Sequence, residues 1–421
     1  MLLIKNGRVV DPASQTDAAL DVLLDGERIA HVAAGIDAPG AEVFDAAGLV
    51  VAPGFIDLHC HLREPGEELS ETIETGSRAA AHGGFTAVCP MPNTKPVNDN
   101  AAVTRAILER AAKVSPVRVW PIGAASRASE GEALAEIGAM QQAGIVAVSD
   151  DGRPVATAKL MRQVMDYCRA LGLVVIDHCE ESSLAAGAVM REGPRSVRLG
   201  LRGMPAETES IAAARDIQLA ALTGARMHVA HLSTRQSLEL VRAAKLQGLA
   251  VSCEVTPHHF TLTDEDVVYD TRFKMNPPLG SREDRDALLA GLADGSVDAI
   301  ATDHAPHHAS LKDVEFDSAR FGITGFETAL ALALEQLFHT GRVSLVRLVE
   351  LFTTGPGRVL EKTRRIAPGE PADLTLFSLD YEWTFRAEES ASKSRNTPFD
   401  GRSFRGAPMA TIVSGRIVFR R

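Results

Sequence analysis

Disulfide chemistry is the first thing this sequence leaves no room for. Its five cysteines (Cys60, Cys89, Cys168, Cys179 and Cys253) are odd in number, scattered, and contain no C-x-x-C pair. That usage excludes a stapled scaffold and a thiolate zinc site of the usual spacing, and it fits a reducing compartment. The opening "MLLIKNGRVVDP" has no basic segment leading into an apolar one, so it does not read as a secretory leader. No apolar run approaches the roughly 18 residues that span a bilayer. Basic charge is also in short supply: 44 Lys and Arg against 55 Asp and Glu give a net charge of −11. With no basic patch to offset it, a nucleic-acid partner is excluded. A small anionic substrate is not, because screening lets one local arginine outweigh a distant surface field. Internal repeats and low-complexity linkers are missing as well. The expected setting is the cytoplasm, and 45% apolar residues suffice for a large core.

What is present divides into ends and middle. The first fifty residues and the last sixty read as short strands joined by tight turns, with Asn6-Gly7, Asp25-Gly26 and Ser414-Gly415 as hairpin signals. Between them run eight apolar stretches: "GFIDLHCH", "FTAVCPMPN", "VRVWPIGAAS", "IVAVSDDG", "LVVIDHCE", "RMHVAHLS", "AVSCEVTPHH" and "DAIATDHAPH". Each precedes a segment able to form a helix. In one such segment Leu160, Met161, Val164, Met165, Cys168 and Leu171 recur at helical spacing before Gly172. Eight strand–helix units predict an α/β fold, a (β/α)8 TIM-like barrel over residues 53–361. The two ends, 1–52 and 362–421, are expected to pair into one composite β-sandwich.

The polar residues fall at the ends of the predicted strands. His59 and His61 end the first, Asp151 the fourth, His178 the fifth, His231 the sixth and Asp303 the eighth. Barrel chemistry sits on that C-terminal face. Residues i and i+2 of a strand point the same way, so His59 and His61 both face the axis while Cys60 faces the helix layer. Imidazole and carboxylate together suit zinc, and six ligands exceed one tetrahedral ion. Two ions about 3.5–4 Å apart, bridged by a carboxylate, would use them all. His304 is expected to point away from the axis, and His258 and His259 to be structural.

These motifs, "GFIDLHCHLREPG" with "MPNTKP", "SDDG", "DHCE", "HLST", "KMNPPLG" and "TDHAPH", resemble the cyclic amidohydrolases, and within them the bacterial class I dihydroorotases. Arg63, two residues after His61, together with "MPNTKP", is closer to that branch than to hydantoinases or allantoinases. The resemblance implies that His59, His61 and Asp303 hold one Zn2+, that His178 and His231 hold a second, and that Asp151 bridges them. Relatives often place a carboxylated lysine at the bridge; the fourth strand here ends without one, and Asp151 is the available substitute. It further implies that Arg63, Asn93 and His307 contact a substrate carboxylate, and that Asn276 with the Phe321–Gly322 backbone contacts the ring amides. Residues 307–325 would form a loop over the site.

The implied reaction interconverts N-carbamoyl-L-aspartate and dihydroorotate in pyrimidine biosynthesis, with Asp303 as the catalytic proton carrier. A homodimer and a complex with aspartate transcarbamoylase are the partners it implies. The rival readings are a hydantoinase, dihydropyrimidinase or allantoinase on the same barrel, or a silent scaffold for the transcarbamoylase. A silent scaffold should have lost ligands, and none of the six is missing.

Overall fold

The computed structural model describes all 421 residues. Phe55–Cys60, the first barrel strand, is buried at every residue, with Asp57 and His59 as its two polar positions. Such strands form parallel sheets covered on both sides. It pairs in parallel with Phe85–Pro90, which pairs with Arg118–Val119. The third run is divided at Pro121, which has no N–H to give to a ladder. Its second half, Gly123–Ala124, pairs with the fourth strand, Ala147–Ser149. Val174–Asp177, Met227–Val229, Val251–Val255 and Ala299–Ile300 then follow in sequence order. The ring closes where Cys60 meets His304 in a parallel bridge and the His61 N–H donates to the His304 carbonyl at 2.9 Å. Asp57 reinforces the closure by accepting from the Thr302 N–H and hydroxyl, both at 2.7 Å.

Helices cover the outside. Ala158–Leu171 buries Leu160, Met161, Val164, Met165 and Cys168, as the spacing predicts. Thr157 caps its N-terminus, and Gly172 ends it in the left-handed region (φ +70°). An insertion after the fifth strand carries a two-stranded ribbon, Met190–Arg191 with Gly203–Met204.

Both chain ends contribute to a single eight-stranded sheet. Val50–Pro53 pairs in parallel with Leu2–Asp11 and antiparallel with Leu374–Thr384, which joins the two ends. Ile4, Val22, Leu24, Leu374 and Ile412 share its hydrophobic cluster. Gly26 and Gly415, both at positive φ, form hairpin turns where the sequence places them. Asn6-Gly7 is a correction: Leu2–Asp11 is one strand, and the pair forms a bulge inside it rather than a turn. Asn6 takes the left-handed conformation (φ +62°), and at Gly7 any Cβ would lie 2.5 Å from a Val51 methyl. The sheet is stitched to the barrel by Thr375, whose hydroxyl accepts from Phe55 N–H at 3.1 Å and donates to the Gly84 carbonyl at 2.6 Å. Arg118 adds a paired contact to Asp373 at 2.6 Å.

Candidate metal centre and substrate cavity

Asp151 lies in the middle of the strand-end cluster. Its Oδ1 is 3.3 Å from His59 Nε2, 3.6 Å from His178 Nδ1 and 3.5 Å from His231 Nε2. Its Oδ2 is 3.6 Å from His61 Nε2. Asp303 Oδ1 lies 3.0 Å from His61 Nε2 and 3.6 Å from His59 Nε2. His178 Nδ1 and His231 Nε2 approach to 2.9 Å. All six residues, drawn from five strands, are buried. His231 and Asp303 sit just past their strands at φ +30° and +41°. Non-glycine residues held there store on the order of 1–3 kcal/mol each, and such positions cluster at functional sites.

Three overlapping triplets, His59–His61–Asp151, His59–His231–Asp303 and Asp151–His178–His231, bring their ligand atoms within 4.8 Å of one another. His59 Nε2 is buried with no hydrogen-bond partner, while its Nδ1 lies 3.2 Å from Glu254 Oε1. That carboxylate fixes the ring so that the Nε2 lone pair faces the cluster. Burial pushes imidazoles down and carboxylates up; at His61 burial and the nearby Arg63 win and lower the ring, whereas opposite charge prevails at His59, His178 and the two carboxylates. Asp151 and Asp303 hold His59 well above the histidine range, and Asp151 with Glu180 raises His178 to about 10. Against the same burial, the facing imidazoles hold Asp151 and Asp303 well below the carboxylate range. The cluster is short of positive charge, and its imidazole–carboxylate donor set fits a divalent metal.

Glu254 belongs to no motif in the sequence. It is fully buried on the seventh strand, with Oε2 3.2 Å from His228 Nε2, and His228 Nδ1 is 2.7 Å from Ser252 Oγ. The available signal was one acid inside the apolar run "AVSCEV". Glu254→Gln is expected to weaken metal affinity by about 10–100-fold. Titration of the metal-free protein against a competing chelator measures it, and unchanged affinity would leave Glu254 only a packing role.

A cavity of about 210 Å³ opens on the cluster, lined by His61, Arg63, Asn93, Asp151, His178, Met275, Asn276, Asp303, His307, Arg320 and Phe321 among others. Its size suits a small polar metabolite rather than a larger cofactor. Arg63 is buried, sits at φ +58°, and donates from Nε to the Pro306 carbonyl at 3.1 Å. No carboxylate of the protein pairs with it. Burial and the adjacent Arg63 push His307 down to about 2, so its ring is neutral. His307 Nε2 donates to the Phe321 carbonyl at 2.7 Å, which leaves Nδ1 without a partner.

The other residues named from the resemblance are placed as follows. Asn93 borders the cavity, but its amide is engaged with cluster members: Oδ1 accepts from His61 Nδ1 at 3.0 Å and Nδ2 donates to Asp151 at 3.2 Å. Asn276 donates to Glu180 at 2.9 Å and keeps a buried Oδ1 unpartnered. Phe321 lines the cavity. Gly322 has both backbone groups occupied, its N–H by the Lys274 carbonyl and its carbonyl by Asn396 and Lys312. His304 faces away and stacks on Phe326 with its Nε2 3.4 Å from Glu71. His259 holds the Pro277 carbonyl at 2.9 Å.

The segment over the cavity is held by two buried lysines. Lys274 Nζ donates to the Phe316 and Asp317 carbonyls at 2.7 and 3.0 Å. Lys312 Nζ donates to the Arg320 and Gly322 carbonyls at 2.8 and 3.1 Å. Neither makes a salt bridge, and burial pushes Lys274 down to about 8 and Lys312 down to about 7, so the roof is fixed by hydrogen bonds from the two amines to backbone carbonyls.

Known proteins resemble this chain in sequence and in fold. Residues 48–237 match the family model described as Dihydro-orotase-like. The chain is 56% identical to a dihydroorotase of Solibacter usitatus over 422 residues, covering 100% of this chain and 98% of that one. A dihydroorotase of Geotalea daltonii is 49% identical over 423 residues, with 100% and 99% covered. Among solved structures, an L-hydantoinase (dihydropyrimidinase) from Arthrobacter aurescens superposes with a TM-score of 0.89 at 26% identity, covering 100% and 96%. A D-hydantoinase (dihydropyrimidinase) from Thermus sp. gives 0.82 at 27%, covering 100% and 95%. The shared architecture is the amidohydrolase barrel, and by full-length identity the chain belongs to the dihydroorotase family.

Proposed function

We propose that this enzyme interconverts N-carbamoyl-L-aspartate and dihydroorotate in pyrimidine synthesis in the cytoplasm, with residues 53–361 as its catalytic barrel and 1–52 with 362–421 as the composite end domain. His59, His61 and Asp303 would hold one zinc ion and His178 and His231 another, with Asp151 between them. Bound there, such ions lower the pKa of water to about 7 and polarise an amide carbonyl. The chain's own residues do the rest. Arg63 forks onto the substrate carboxylate with two parallel N–H donors, fixing both charge and orientation. His307, neutral and tethered to Phe321, bounds that subsite. Asn276 offers its free Oδ1 to a ring N–H. In the hydrolytic direction Asp303 takes a proton from the attacking water and delivers it to the departing ring nitrogen as the C–N bond breaks.

The observation that carries this reading is the buried Arg63 guanidinium, without a carboxylate partner in the protein, in the same cavity as the six-residue cluster. A neutral hydantoin ring gives that charge no partner, which is why the carboxylated ring is favoured over the hydantoinase reading. The test is a turnover assay of the purified protein with dihydroorotate, hydantoin and allantoin, alongside metal analysis. Preference for dihydroorotate with two equivalents of zinc is expected; faster opening of hydantoin would replace this reading with the hydantoinase one.

A further inference from the structure

Beside the reaction cavity lies a second one that shares Arg63, Asn93, Asp151, Gly152, His307 and Arg320 with it. Its charged border comprises Arg63, Lys95, Arg153 and Arg320 against Glu67, Glu130 and Asp151. Two of these acids are already engaged: Glu67 pairs with Lys95 at 2.7 Å, and Asp151 faces the imidazoles. Arg153 and Arg320 are exposed, and neither guanidinium has a carboxylate or hydrogen-bond acceptor in the protein. Arg320 is nevertheless not on a free-swinging backbone, because Lys312 holds its carbonyl at 2.8 Å. The buried Ser129 hydroxyl, also unpartnered, borders the same space.

The reaction proposed above gives this vestibule a task. The ring acid carries one carboxylate; the open-chain acid carries two. A dianion approaching a chain of net charge −11 and a cluster containing Asp151 and Asp303 is repelled more strongly than a monoanion. Local cationic side chains at a mouth counter such repulsion, raising association by about 10–10³-fold in a salt-dependent way. We infer that Arg320 and Arg153 form a docking station that captures the open-chain dicarboxylate by its second carboxylate before that group reaches the cluster. The inference rests on the proposed reaction, and it makes the two arginines weigh more on the binding of the open-chain acid than on that of the ring acid.

The experiment measures kcat and KM separately for both acids with the zinc-loaded wild type, R153Q, R320Q and the double variant across ionic strength. In the wild type, added salt should raise the open-chain KM about tenfold and the ring-acid KM about two- to threefold. At low salt the double variant should raise KM about tenfold for the open-chain acid and at most about threefold for the ring acid, and its salt dependence should flatten, while kcat/KM changes by one common factor in both directions, as the fixed equilibrium constant requires. Equal rises in KM for the two acids, or an unaltered salt dependence, would overturn the docking station. Calorimetric binding of N-carbamoyl-aspartate separates this from the reading it rests on. Salt-sensitive, Arg320-dependent binding by a protein that turns over neither acid would keep the station and remove the reaction. Binding that ignores both arginines would remove the station whatever the turnover.

Discussion

Asp303→Asn is expected to lower turnover by about 10²–10⁴ while the protein still folds. The substitution keeps size and shape at a buried position whose backbone is already committed to φ +41°. What it removes is charge. Asp303 is held well below the carboxylate range, chiefly by His59 and His61 against the opposing effect of burial. It is therefore ionised at neutral pH and able to accept a proton. An amide oxygen in its place cannot carry that proton from water to the ring nitrogen. The change also takes one anionic donor from the cluster, so metal content must be measured with turnover, and the assay repeated with added zinc. A rate near that of the wild type with metal restored would remove Asp303 as the proton carrier.

Replacing Arg63 with Met should reduce kcat/KM for dihydroorotate by about 10²–10³, and for hydantoin by less than about tenfold. Methionine roughly preserves the length of the aliphatic stem and deletes the guanidinium. A carboxylate then enters a buried subsite with no cation to meet it, and losing one partner of such a pair costs about 2–5 kcal/mol. The ratio between the substrates is the informative quantity, since kcat/KM compares transition states directly. If both substrates lose equally, Arg63 merely holds the Pro306 carbonyl and the fold around it.

Much of this architecture is legible from sequence because it is written in local periodicity. Eight apolar runs end in polar residues, and the i, i+2 rule directs His59 and His61 to one face. What escapes depends on partners remote in the chain. Glu254 acts on His59 across 195 positions, and no spacing rule links them. Lys274 and Lys312 look like ordinary surface lysines until the loop folds and supplies carbonyls. Asn6-Gly7 carries a turn signal, yet pairing with Thr16–Asp25 continues beyond it, so strand pairing overrides local preference. The division of the third strand is marked by Pro121, but the ladder it serves on each side emerges only once the ring has closed.

The shared end sheet also sets an order of events during synthesis. Val50–Pro53 runs almost directly into Phe55–Cys60, the strand that carries His59, and its antiparallel neighbour is Leu374–Thr384. A ribosome that has finished all eight barrel strands has still not made Thr375, which bonds to both Phe55 and Gly84. The nascent barrel therefore waits, with Val50–Pro53 lacking its antiparallel neighbour and the Phe55 N–H its acceptor, until the final fifty residues emerge. Such distant pairing is slow to form, so a chain shortened at its far end would be damaged at the very strand where its histidines begin.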